Sequence, residues 1–170
     1  MYYYFNGVDN KEEKQDMAIN MQTAVMQLRI VIITAALVGA IGGWAGVFLE
    51  DEAATASLCA KFYYALYIVI PVVLFVTERI TRSRKRPGVT IGGKDRIFTG
   101  LTAGIIGSLV GALMFVILSI ALPTVFGGKE WGMIQDELFK QIGLLKILYL
   151  VIITILAATG TGFLSRKNGS

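Results

Sequence analysis

The hydrophobic positions of this chain form long uninterrupted blocks, and the charged positions fall between them. Four stretches contain no charged residue, namely residues 30–49, 62–77, 97–128 and 147–165. A bilayer core about 30 Å thick needs about 20 helical residues to cross it, so the first, third and fourth stretches suffice on their own. The second is completed by Lys61, whose aliphatic stem can reach the interface. The pattern predicts an all-α polytopic membrane protein with four transmembrane helices.

The predicted spans lie within a membrane domain of residues 28–166, which a short tail of residues 167–170 follows. Pro123 is expected to end the third span, because proline removes a backbone hydrogen bond from a helix interior. Pro71 is expected to kink the second span. The connection of residues 129–146 carries mixed charge and is expected to be a loop. The four spans are placed at about residues 28–49, 61–80, 97–122 and 144–165.

The N-terminal segment, residues 1–27, is polar to amphipathic and has no apolar core of a signal peptide. Met17, Met21 and Val25 recur at helical spacing within it. We therefore predict an interfacial helix over residues 11–27 that runs directly into the first span. A segment facing a partner protein fits the same spacing equally well.

The charges predict the topology. The segment 79–96 is basic, whereas the connection 50–61 begins with three acidic residues. With four spans, both termini share the side of the basic segment, which the positive-inside rule makes cytoplasmic in a prokaryote. Lys146 stands on an apolar face and is expected at the interface, near Glu137 or a lipid phosphate. The residues expected to contact lipid or a partner are Arg79, Arg82, Arg84, Lys85, Arg86 and Lys146.

Small residues recur along one face of the first and third spans. Glycine is costly in a helix, and in lipid its usual use is close approach between two helix backbones. The first span is predicted to pack against the third, or one of the two faces to contact another subunit. The shared spacing also suggests two related hairpins in parallel orientation. The glycines are Gly39, Gly42, Gly43 and Gly46 in the first span and Gly100, Gly104, Gly107 and Gly111 in the third.

The composition offers little equipment for chemistry. The chain is 55% hydrophobic and 16% charged, and it has no histidine and one cysteine, Cys59. Histidine-based metal or haem ligation and an intrachain disulfide are therefore excluded. No serine pairs with a recognisable base, and Cys59 is expected to have no role. We expect no enzyme activity, no cofactor, no identified small-molecule substrate and no nucleic-acid partner.

Several patches of the chain carry a family resemblance. They are Tyr4-Phe5-Asn6-Gly7-Val8-Asp9-Asn10, the first-span glycines Gly39, Gly42 and Gly46, Thr77-x-x-Ile80, Arg86-Pro87, Asp95-Arg96-Ile97-Phe98 and Gly100-x-x-Ala103-Gly104-x-x-Gly107. These patches resemble the mitochondrial inner-membrane translocase (TIM) family, nearest to its four-helix accessory subunit of respiratory complex I. The resemblance implies a lateral, non-catalytic subunit that bridges larger membrane subunits in the mitochondrial inner membrane.

Three functional hypotheses follow. The first is a structural or accessory subunit whose partners are other membrane subunits and phospholipids. The alternative is a small homo-oligomeric transporter or channel, since uncharged paths can conduct water, small neutral molecules or lipids. The third is a prokaryotic plasma-membrane protein that recruits partners through the basic loop of residues 79–96.

Overall fold

The protein is a bundle of long helices. The structure is a computed structural model that describes the backbone of residues 6–84 and 93–164 and the side chains of residues 21–80 and 97–160. Four helical stretches in this part of the chain are long and apolar enough to cross a membrane, as the hydropathy pattern predicts. The helices are α1 (Asn6–Val47), α2 (Glu52–Arg84), α3 (Gly93–Thr102), a π-helical segment (Ala103–Gly107), α4 (Ser108–Gly127) and α5 (Trp131–Leu164).

The bundle consists of two helical hairpins side by side. The first hairpin is α1 with α2. In the second, α5 follows the third span, which is formed by α3, the π segment and α4 and crosses at Ile97–Gly127. Within the described residues, α1 packs on α2 and on the third span, α5 packs on the same two elements, and α1 and α5 lie on a diagonal. The third span is parallel to α1, because the residues in contact rise together in number, from Val31 with Gly107 to Gly43 with Ser119.

The interior of the bundle is filled by large apolar side chains. Tyr63 and Leu66 of α2, Phe115 of α4 and Leu150 of α5 are all fully buried, and they belong to one continuous cluster. The Tyr63 and Phe115 rings meet edge to face with their centroids 5.3 Å apart, a favourable geometry for aromatic pairs. The described centre of a single copy is therefore closed by packed side chains.

Two helix ends differ from the expected span limits. Helix α2 begins at Glu52, nine residues before the predicted start, because Lys61 lies on its exposed face and does not mark an end. Pro123 lies inside α4, which continues to Gly127. A proline in a helix leaves the carbonyl four residues earlier without its usual donor, and here the Cys59 thiol donates to that carbonyl, on Ser119, over 3.7 Å. The expectation that Cys59 has no role is corrected by the same contact.

Helix α1 and the connection after α4 also differ from expectation. Helix α1 is a single helix of 42 residues, about 63 Å long at 1.5 Å per residue. Nothing interrupts it, so residues 6–27 continue the first span as part of the same helix. The connection 129–146 is mostly helical, because Ile134, Leu138 and Ile142 repeat every four residues and are buried against the bundle.

Specific hydrogen bonds hold the turns at the end of the bundle that carries the acidic residues 50–52. Helix α4 ends at Gly127, and Gly128 follows it with φ 65°, the left-handed conformation that glycine adopts readily. The next residue, Lys129, is only 7% exposed, and its ammonium donates to the carbonyl of Leu49, just past the end of α1. A lysine at this position satisfies a carbonyl that has no partner within the helix and favourably meets the negative helix end.

Candidate functional site

At the glycines that the structure describes, the closest approach to a neighbouring backbone lies between α1 and α4. A Cβ added to Gly39 would lie 2.7 Å from the Phe115 Cα, and one added to Gly43 would lie 2.5 Å from the Leu118 carbonyl oxygen. Gly111 faces Ala35 in the same row. Since the neighbouring atoms at Gly39 and Gly43 are backbone, the two helices approach each other as closely as glycine alone permits.

The glycines of the third span face two different neighbours. Gly100 and Gly104 contact Thr159 and Ile155 of α5, whereas Gly107 and Gly111 contact α1. The π segment Ala103–Gly107 lies between the two pairs. A π-helical turn adds a residue to the helix and changes the direction in which later side chains project. Regular α-helical spacing would place these four glycines on one face, but they contact two different helices.

The two remaining first-span glycines lie close to α2. A Cβ at Gly42 would lie 3.1 Å from the Phe62 ring, and one at Gly46 would lie 2.7 Å from the Thr55 methyl group. The matched glycine spacings of the two spans do not describe the packing register. They align Gly39 with Gly104, which is 65 positions later, whereas Gly39 packs against Phe115, which is 76 positions later.

A second notable feature is a break in α5 with a lysine beside it. Gly143 has φ 59° and ψ 162°, a non-helical conformation that is essentially restricted to glycine. The carbonyl of Gln141, two residues earlier, accepts a hydrogen bond from the Tyr64 hydroxyl at 3.0 Å and another from the Lys146 ammonium. The chain therefore satisfies the disturbed helix with side chains from α2 and from α5 itself.

The polar neighbours of the Lys146 ammonium are neutral groups. We call the cluster the lysine–tyrosine site, and it consists of Tyr64, Tyr67, Gln141 and Lys146. The ammonium donates to the Tyr64 hydroxyl and to the Gln141 carbonyl. It also lies 4.8 Å from the centre of the Tyr64 ring, within the range of a cation–π contact. The Tyr67 hydroxyl donates to the Lys146 carbonyl at 2.8 Å. Glu137, one expected partner of Lys146, pairs with Lys140 at 2.7 Å.

The sequence pattern marks Lys146 but not the groups around it. Tyr64 and Tyr67 read as ordinary span residues, and nothing in the sequence marks Gly143 as a break, since glycine is common in transmembrane helices. The spacing of Tyr64 and Tyr67, three residues apart and hence on one helix face, is the only signal available in the sequence.

Of the other predicted contact residues, the three that the structure describes lie near the end of α2. Arg79 is exposed near the end of α2. Arg82 and Arg84 lie in the last turns of α2, where the structure describes the backbone alone. Lys85 and Arg86 lie outside the described residues. Lys146 contacts Tyr64, which lies 15 positions before Arg79 on α2 and hence about 22 Å from it along that helix.

Among the side chains that the structure describes, no cluster of histidine, cysteine, aspartate or glutamate could hold a metal ion. Comparison with protein-family models, curated proteins and solved structures found no match.

Proposed function

We propose that this integral membrane protein is a non-catalytic structural subunit of a larger membrane assembly. The observation that carries the proposal is the closed interior of the bundle, where Tyr63, Leu66 and Phe115 are fully buried. A single copy with this interior offers its outer faces to other molecules. An apolar row on α1, formed by Ile33, Leu37, Ile41, Trp44 and Phe48, is more than half exposed at every position.

The length of α1 supports the same proposal. About 20 of its 42 residues suffice to cross a bilayer core. The remaining turns continue beyond the core, where they are available to a neighbouring subunit. The resemblance of the third span and of the N-terminal segment to the TIM family makes a respiratory complex of the mitochondrial inner membrane the first assembly to test.

The test is extraction of the tagged chain from its native membrane in a mild detergent, followed by size analysis and quantitative mass spectrometry. The proposal expects one or more larger membrane proteins in fixed stoichiometry with the chain through two successive purification steps. A four-span membrane protein of similar size, tagged and expressed at the same level, controls for nonspecific capture. Recovery of this chain alone, as a monomer or a homo-oligomer, would contradict the proposal.

A small homo-oligomeric transporter or channel is the second candidate, and Lys146 is the observation that favours it. An ionisable residue in a transmembrane segment often marks an ion path. Lys146 lies within the candidate span Trp131–Gly160 and is half-buried between α2 and α5. In a homo-oligomer, several copies of this lysine could line a path between subunits. Anion flux into liposomes that contain only this chain, abolished by Lys146→Gln, would favour this candidate.

A further inference from the structure

We propose that the lysine–tyrosine site binds the phosphodiester group of an anionic phospholipid, with Lys146 as the cation that contacts it. This inference goes beyond the proposed structural role and does not depend on it. It requires only that the chain resides in a membrane, and it would hold for a lone copy as well as for a subunit of an assembly.

The Lys146 ammonium has a hydrogen-bond donor and a charge left for a ligand. A lysine ammonium has three N–H donors and no acceptor. Two of the donors are used by the Tyr64 hydroxyl and the Gln141 carbonyl, and both acceptors are neutral. Among the described side chains, no carboxylate forms an ion pair with Lys146. One donor and a full positive charge are therefore left for an anionic oxygen, and a half-buried charge without a counter-ion is costly.

The depth of the ammonium favours a lipid headgroup over a carboxylate on a partner helix. The Lys146 side chain bends back along α5 to the Gln141 carbonyl. The residue before Gln141 is Lys140, whose side chain is 68% exposed and pairs with Glu137. An exposed ion pair belongs at the lipid–water boundary, since hydrocarbon does not solvate it. With the boundary at this ion pair, the ammonium lies within snorkelling reach of lipid phosphates.

The surroundings of the site fit the remainder of a lipid molecule. Leu144 and Leu145, directly after the break, are 84% and 61% exposed and can pack against acyl chains. Lys61 is exposed on α2, one turn before Tyr64, so a second cation lies on the side of α2 that bears the Tyr64 ring. Two cations around one anionic group favour a lipid with net negative charge over a zwitterionic lipid.

The first test is native mass spectrometry of the delipidated protein in detergent. Phosphatidylglycerol and phosphatidylcholine with identical acyl chains are added separately. We expect Lys146→Gln to bind phosphatidylglycerol about tenfold more weakly, because the substitution removes one charge-assisted hydrogen bond. Lys140→Gln is the matched control, because it removes the same charge six residues away and should bind as the wild type does. Equal binding by Lys146→Gln and the wild type, or equal loss in both variants, would overturn the proposal.

A second measurement uses the unaltered protein, so it does not depend on a variant that folds. An amine-reactive reagent labels the exposed lysines, and mass spectrometry of peptides reports the labelling of each one. Phosphatidylglycerol should protect Lys146 severalfold while leaving Lys140 unprotected. Protection by phosphatidylcholine to the same extent, or by inorganic phosphate alone, would refute an anionic lipid as the ligand. Labelling of Lys146 that no lipid changes would refute the site itself.

Discussion

Gly43→Ala is the sharpest test of the packing between α1 and α4. The added methyl group would lie 2.5 Å from the Leu118 carbonyl oxygen and 3.1 Å from the Ser119 Cα. Both atoms belong to the backbone, so no side-chain rotation can relieve the contact. Ordinary van der Waals contact begins at 3.4 Å, and the helices must therefore separate locally by about 0.9 Å.

The energetic cost follows from that displacement. A gap of 0.5–1 Å forfeits roughly a quarter to a half of each dispersion contact along the row. The contacts at Gly39 and Gly111 lie in the same row, and so does the hydrogen bond of 3.4 Å from the Ser119 hydroxyl to the Gly39 carbonyl. Overpacking of this kind costs about 1–3 kcal/mol of the free energy of unfolding.

The assay is unfolding by sodium dodecyl sulfate in mixed micelles, followed by far-ultraviolet circular dichroism. Gly107→Ala is the control at the same interface, because its methyl group would lie 3.3 Å from the Val31 Cβ, where a small shift suffices. Gly132→Ala is the control without a steric contact. No atom lies within 4 Å of the added methyl group, so this variant reports the helix propensity of alanine. If Gly43→Ala is as stable as Gly132→Ala, the close approach of α1 and α4 is refuted.

Two further changes probe the ends and the break of the helices by the same unfolding assay. Gly143→Ala places a side chain at φ 59° and ψ 162° and should cost about 1–3 kcal/mol through backbone strain; a loss no larger than that of Gly160→Ala, where space is open, would argue against the break. Lys129→Met removes the donor to the Leu49 carbonyl and should cost about 1–3 kcal/mol, with faster amide hydrogen exchange in the last turn of α1. Unchanged exchange there would contradict the bond.

The sequence predicts the number and class of the helices well, because hydrocarbon tolerates few charges and apolar blocks are therefore diagnostic. It predicts the helix ends poorly. Lys61 does not mark the start of α2, because a lysine can stand on an exposed helix face. Pro123 does not end α4, because the Cys59 thiol from α2 supplies a donor for the carbonyl that the proline leaves without one. The exposure of Lys61 and the contact of Cys59 both depend on the folded bundle, which no local pattern contains.

The glycine contacts and the surroundings of Lys146 are likewise only partly predictable from the sequence. Glycine spacing predicts close helix contacts, but it cannot reveal the π segment Ala103–Gly107, which gives the third span two glycine contacts instead of one. Lys146 is visible as a charge beside an apolar run. Its partners are not, because Tyr64 and Gln141 meet it only after α2 and the broken α5 pack together.

The parallel packing of α1 and α4 has a consequence for biosynthesis. Phe115 is made 76 residues after Gly39, the glycine it covers. At a translation rate of about 5–20 residues per second, the first hairpin waits roughly 4–15 s for its neighbour. During that interval the glycine row of α1 faces lipid, the insertion machinery or a membrane chaperone. The order of synthesis thus delays the close backbone packing of α1 until the third span has been made.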